Sequence, residues 1–180
     1  MILRSLSLIT LLFLSGLSMA ADTKIIYGYV EKATLVDKGM VLSAKLDTGA
    51  KSASLSAINI SEVLQAGKLY LRFTVLGKNE EKEFTSEYLG RVKIKVRDGE
   101  NGGNAPAAPH KPVSIKRPVV LMTLQIGDKI RKIPVNLTNR KRFNYPLLLG
   151  RDAIIAFDGL IDPSHAFLIK SEKIKKNEIK

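Results

Sequence analysis

From Ile25 onward the chain is a succession of short stretches that mix apolar and polar residues, separated by turn residues, and this rhythm leaves room for little besides β-structure. Ile26 to Val36 reads as a strand, Asp37-Lys38-Gly39 as a turn in which glycine takes positive φ at little cost, and Met40 to Leu46 as the returning strand. Ser54 to Ile60 reads as a short strand. Leu69 to Leu76 reads as a further one, with a turn at Gly77-Lys78-Asn79. Lys82 to Tyr88 and Arg91 to Arg97 read as a strand pair about Leu89-Gly90, and Arg117 to Ile126 with Lys129 to Leu137 as a hairpin about Gly127-Asp128. One short helix is expected over Arg151 to Phe157, and a last strand over Ala166 to Ile169.

Three segments fall outside this rhythm. Residues 1–20 carry one cation, Arg4, an apolar stretch from Leu8 to Leu17, and small residues at Ser18 and Ala20. That is the pattern of a secretory leader cleaved after Ala20, with an apolar run too short for a membrane anchor. Asp98 to Pro112 holds three Gly, three Pro, two Asn and three Ala, which cannot fill a core and read as a loop within the domain. Lys170 to Lys180 has five Lys and two Glu and reads as a solvated basic tail. What remains, residues 21–169, is enough for one domain with a core of its own.

The whole chain has a formal net charge of +12, and loss of the leader removes one of those charges. Such an excess suits an anionic partner, in the cell envelope or in a peptide. Nucleic acid is a poor fit, because the few aromatics do not interleave with Lys and Arg as a base-stacking platform requires. The chain has no Cys, so no disulfide supports it in an oxidising compartment. Together with the leader this points to an exported protein, periplasmic first, with secretion as the alternative.

The chemistry-bearing feature is Leu46-Asp47-Thr48-Gly49-Ala50, where an extended run turns at a carboxylate. Asp47 can activate water or share a proton with a second carboxylate. Thr48 can tie the turn to nearby backbone, Gly49 allows a tight turn, and Ala50 leaves room beside it. About 100 residues on, the chain reads Tyr145-Pro146-Leu147-Leu148-Leu149-Gly150-Arg151-Asp152, an apolar strand ending in glycine.

In this order the two stretches resemble the retropepsin-like aspartic endopeptidases, the single-lobe relatives of pepsin. The resemblance is closer to a bacterial branch in which Ala44 to Lys51, Arg117 to Val120, Leu137 to Arg140, Leu148 to Arg151 and Asp162 to Ser164 have counterparts in the same order. It runs from about Tyr27 to Ile169 and implies a mainly β fold: a closed retropepsin-like barrel with one short helix, in a single domain. It also implies Asp47 as the catalytic acid, with Thr48 bonding across a dimer axis and Gly49 and Ala50 shaping the loop. Leu148, Leu149 and Gly150 would pack behind that loop, and Arg151 would brace it.

Two departures matter. The retroviral enzymes place acids just after Asp-Thr-Gly-Ala, whereas Lys51 and Ser52 follow here, so Arg151 needs another partner. Many members of the bacterial branch have His where this chain has Ser56, so no role for a histidine carries over. Lys45 lies two residues before Asp47, on the same face of a strand, where a cation would favour the ionised acid; strand twist could equally turn it to solvent.

Aspartic proteolysis uses two carboxylates sharing one proton, and this chain has one Asp-Thr-Gly. The second carboxylate must come from a second copy, across a two-fold axis. The substrate expected of such a cleft is an extended peptide or protein segment held by main-chain hydrogen bonds. Members of the branch have been labelled ATP-dependent zinc proteases, but the residues support neither cofactor. His110 and His165 are the only histidines, no His-Glu-x-x-His is present, and no Gly-rich loop ends in Lys-Ser/Thr. A reading of another class also stands: a non-catalytic barrel that binds an anionic envelope component or peptide.

Overall fold

A computed structural model describes residues 23–78, 80–95 and 114–170. Its framework begins with the hairpin of β2 (Val30–Leu35) and β3 (Met40–Leu46), joined by a 3-10 turn that ends on Gly39 at φ 59°. The alternation in β3 is strict: Met40, Leu42, Ala44 and Leu46 are buried while Val41 and Lys45 are exposed. A strand with one apolar face must pack it, and here it goes into a barrel.

The barrel closes through two long strands and one short one. β3 runs parallel to the three-residue β9 (Leu147–Leu149), and β9 is antiparallel to β4 (Ala53–Gln65). β4 is parallel to β8 (Lys129–Thr138), β8 forms a hairpin with β7 (Ser114–Ile126) about Gly127 at φ 59°, and β7 returns to β2 at Thr34↔Gln125 and Leu35↔Leu124. β5 (Lys68–Leu76) and β6 (Glu81–Lys95) complete a second circuit between β4 and β7. Closure pairs strand edges that would otherwise template aggregation. Inside lie Leu35, Leu55, Val120, Met122, Leu124 and Leu137, with Phe73 stacked on Phe84 at 5.9 Å. The expected mainly β, closed retropepsin-like barrel with one short helix is the observed fold; the helix is α1 (Arg151–Ala156).

Four expectations about individual elements change. The strand read from Ile26 to Val36 breaks at Tyr29: β1 (Ile25–Gly28) leaves the barrel and pairs in parallel with β10 (Gly159–Asp162), which was not foreseen. Ser54 to Ile60 is part of the longer β4, which kinks between Ile58 and Ser61 with Asn59 at φ 54°. Leu89-Gly90 is not a turn between strands but a bulge within β6, where Gly90 takes φ 105° and the register slips against β7. Ala166 to Ile169 forms no strand. The leader, the Asp98 to Pro112 loop and the tail beyond Lys170 lie outside the described residues.

The break at Tyr29 and the missing last strand share a cause. Glu31 has no exposed surface, and its carboxylate accepts the amides of Gly28 (2.7 Å), Leu168 (3.0 Å) and Ile169 (3.3 Å). The Leu168 and Ile169 amides are bonded to this side chain rather than to a ladder, and the Tyr29 amide goes to the His165 carbonyl of the C-terminal segment that they seat. At Gly28 a Cβ would lie 2.6 Å from the His165 carbonyl oxygen, so only glycine lets the C-terminal segment approach so closely.

A second tie fixes α1. Asp158 receives Lys129 Nζ and Arg131 Nη2, each at 3.0 Å, and these hydrogen bonds hold its carboxyl below the usual range. Beside it the buried Tyr27 hydroxyl donates to the Phe157 carbonyl at 3.1 Å. Burial, helped by the negative charges of Asp128 and Asp158, pushes the Tyr27 phenol up to about 12.

Two outcomes follow. Replacing Glu31 with Ala strands three amides, and urea unfolding should show a loss of about 2–4 kcal/mol, whereas an exposed site such as Glu62→Ala should move by less than about 0.5 kcal/mol. Because the folded state keeps the Tyr27 proton after the unfolded chain releases it near the ordinary value of 10.0, Tyr27 supports the fold fully below pH 10. That support should disappear between about pH 10 and 12, and a Tyr27→Phe variant should lack this component of the pH–stability curve.

Candidate active site

The backbone around Asp47 is fixed from both sides before its side chain does anything. Leu46 donates its amide to the Tyr29 carbonyl at 2.9 Å, and Asp47 donates its own to the Leu149 carbonyl at 2.9 Å. The chain then turns, with the Ala50 amide returning to the Asp47 carbonyl at 3.2 Å. One carboxylate oxygen of Asp47, Oδ1, accepts the Gly49 amide at 3.0 Å, which leaves Oδ2 directed toward the neighbouring cleft residues.

Gly150 and Arg151 hold the other side of the turn. The Arg151 and Asp152 amides donate to the carbonyls of Ala50 (2.9 Å) and Lys51 (3.1 Å). A Cβ on Gly150 would sit 2.6 Å from the Lys51 oxygen and 2.7 Å from the Ser52 oxygen, so the close approach requires glycine. The partner that Arg151 lacked in the sequence is backbone: its Nη1 donates to the Thr48 carbonyl at 2.9 Å, with that of Gly49 at 3.5 Å. Leu149 is buried, whereas Leu148, the middle residue of a pleated strand, turns the other way and lines the cleft. Thr48 is exposed.

Of the two orientations open to Lys45, the structure has the one facing the acid, with Nζ 3.5 Å from Asp47 Oδ2. Both lie on a cleft of about 570 Å³. Five further cations line it: Lys51, Lys93, Lys95, Arg117 and Arg140. Asp47 is the one acid among the described lining residues. The floor is polar, with buried Ser54 and Asn136 side by side on β4 and β8; Asn136 Nδ2 donates to the Ala53 carbonyl at 2.5 Å.

Sequence reading missed the cations on β6 and β7, although a signal was present. Arg91, Lys93 and Lys95 alternate with Val92 and Ile94, the pattern of a strand with one basic face. What it could not supply is that Lys93 and Lys95 line the same cleft as Asp47. Among the described residues no three His, Asp or Glu side chains are placed to share a metal ion. His165 sits in its own turn, Nδ1 2.9 Å from Asp162 Oδ2; hydrogen bonds from Ser164 and then His165 hold that carboxyl down to about 2.

A single-lobe closed barrel that presents Asp-Thr-Gly at a strand end, backed by a Leu-Leu-Gly-Arg segment, defines the retropepsin-like class. A family model described as RimB-like, retropepsin-like aspartic endopeptidase RimB, matches residues 26–172, and the chain belongs to that family. Relatives called probable alpha-L-glutamate ligase are 28% identical over 154 residues in Shewanella pealeana, covering 83% of this chain and 31% of that protein, and 27% identical over 143 residues in Desulfotalea psychrophila, covering 78% and 28%. The chain therefore spans about three tenths of the length of these curated relatives. A crystal structure of a Legionella pneumophila protein of unknown function is 55% identical, with a TM-score of 0.68 over 82% of this chain and 100% of that one.

Replacing Gly150 with Ala should displace backbone rather than a flexible side chain. Unfolding should show about 2–4 kcal/mol of lost stability, and hydrogen exchange should show faster opening at Asp47, Ala50 and Arg151 than at the amides of β7.

Proposed function

We propose that the chain is an aspartic endopeptidase that cuts extended, acidic polypeptide segments, with Asp47 from each of two copies forming the catalytic pair. The observation that carries this reading is the setting of Asp47: a carboxylate fixed by backbone on both sides, with Oδ2 open to a cleft whose other charged lining residues, among those described, are all cations. One such acid is half of an aspartic site. Two carboxylates held close cannot both ionise, so one keeps a proton. The ionised Asp47 takes a proton from water as the water oxygen adds to the scissile carbonyl carbon, while the protonated partner donates a hydrogen bond to the carbonyl oxygen. Transfer of a proton to the amide nitrogen then breaks the carbon–nitrogen bond.

The exposed Thr48 and the loop braced by Arg151 stand where the second copy would meet this one. Leu148, beside Asp47, gives the cleft an apolar side for a substrate side chain. The acidic preference rests on the six cations of the cleft, and a glutamate-rich segment fits them best: the longer relatives that share this domain are named for ligating L-glutamate. A ligase that builds such segments and a peptidase that shortens them would meet the same chemistry. The leader read in residues 1–20 would deliver this copy of the domain to the periplasm.

The decisive variant is Asp47→Asn in the purified chain. Cleavage of a glutamate-rich peptide should fall about 10³-fold, with the peptide still bound. A parent that cleaves no acidic peptide but binds it would instead mark a binding module, and unchanged cleavage by the Asn variant would refute the mechanism. Sedimentation should show dimers when a peptide transition-state mimic is present.

A further inference from the structure

Beyond the loop that closes one end of the Asp47 cleft lies a second concavity of about 410 Å³. Its charged lining residues are Lys32, Lys78, Arg140 and Lys141, and no acid lines it among the described residues. The loop between the two is a built partition. The Arg140 amide donates to Ser56 Oγ at 3.1 Å, its Nε donates to the Tyr145 carbonyl at 3.2 Å, and its guanidinium lies 4.3 Å from the centre of the Phe143 ring. Ser56 in turn donates its amide to the Pro146 carbonyl at 2.7 Å. Arg140, Phe143, Asn144 and Tyr145 line both concavities, so a chain leaving one enters the other without crossing unrelated surface.

The four cations differ in their commitments. Arg140 is buried in the partition, and Lys32 is anchored by Ser43 Oγ at 2.9 Å and by the face of Phe167 at 4.8 Å. Lys78 and Lys141 are exposed on the rim, and neither has an acidic partner among the described residues. A hollow lined by one sign of charge focuses a positive potential and concentrates anions, and Lys78 and Lys141 on its rim are the cations left to meet one. Because this hollow adjoins the Asp47 cleft across the residues that line both, a chain long enough to pass over the partition reaches the two at once, which favours the same acidic chain over a separate small anion.

We infer that the second concavity is an anion-binding site that holds the distal carboxylates of an acidic peptide whose other end lies beside Asp47. The link to cleavage rests on the peptidase reading above; the binding itself does not. A site remote from the reacting bond adds affinity only for a ligand long enough to span both, as with any two linked contacts.

The test uses the full chain carrying Asp47→Asn to stop turnover, with fluorescent L-glutamate oligomers as probes. One oligomer of about 4 residues spans roughly 14 Å and one of about 12 residues roughly 40 Å when extended. Adding Lys78→Ala and Lys141→Ala should weaken binding of the long oligomer about tenfold and leave the short one unmoved, since both lysines are exposed and support no contact of the fold. The difference should shrink as salt is raised. Equal binding of the long oligomer with and without these lysines would overturn the inference, as would equally tight binding of a neutral glutamine oligomer or of a single-stranded oligonucleotide of matched charge. If the parent binds the long oligomer through these lysines but never cuts it, the second site stands and the peptidase reading falls. If it cuts short peptides while the lysines prove inert, the reverse holds.

Discussion

The interaction on which the rest of the molecule depends is the backbone lacing between the Asp47 turn and the segment from Leu149 to Asp152. It joins residues about 100 positions apart through amide–carbonyl bonds of 2.9 to 3.1 Å, and it works because Gly150 has no side chain to hold the two chains apart. Three strands are organised around it. β9 is only three residues long, yet it is inserted between β3 and β4, so that one strand delivers Asp47 and the other carries the cleft floor. A strand so short has little stability of its own, and its place is secured by the burial of Leu147 and Leu149 and by α1 starting at once after it.

The excess positive charge is not spread evenly: among the described residues six cations and one acid line the first cleft and four cations line the second, Arg140 being common to both. Lys93 and Lys95 come from β6 and Arg117 from β7, strands outside the lacing around Asp47. These three cations are thus supported independently of the acid, whereas Lys45 and Lys51 lie on the strand and turn that carry Asp47. Substitutions in the outer strands can alter what is attracted without moving Asp47, whereas changes at Gly150 move Asp47 itself.

Much of this was legible because local signals and the fold agree. Strand-length stretches on either side of a turn located β3, β7 and β8, a glycine with positive φ marked both hairpin turns, and the Asp-Thr-Gly and Leu-Leu-Gly-Arg motifs pointed to the two halves of the lacing. The failures have physical reasons. Gly90 offers the same positive φ to a bulge as to a turn, and nothing local tells the two apart. Glu31 lies within a stretch read only as a strand, and its burial depends on donors from Leu168 and Ile169, far along the chain. The partner of Arg151 was sought among acids, whereas backbone carbonyls, which every residue carries and no sequence singles out, fill that place.

Glu31 also links the end of the domain to Asp47. An isolated carboxylate without exposed surface is costly, and three amides make this one tolerable. Those bonds seat the C-terminal segment against Tyr29, whose amide donates to the His165 carbonyl at 2.9 Å. The carbonyl of the same Tyr29 accepts the Leu46 amide, one residue before the acid. Two consecutive peptide groups therefore separate the C-terminal segment from the strand that positions Asp47. Loosening the clasp would free a wall of the cleft as well as the end of the chain, because Tyr29 lines that cleft. The burial of Glu31 is thus a condition for a well-placed Asp47, although no atom of Glu31 lines the cleft.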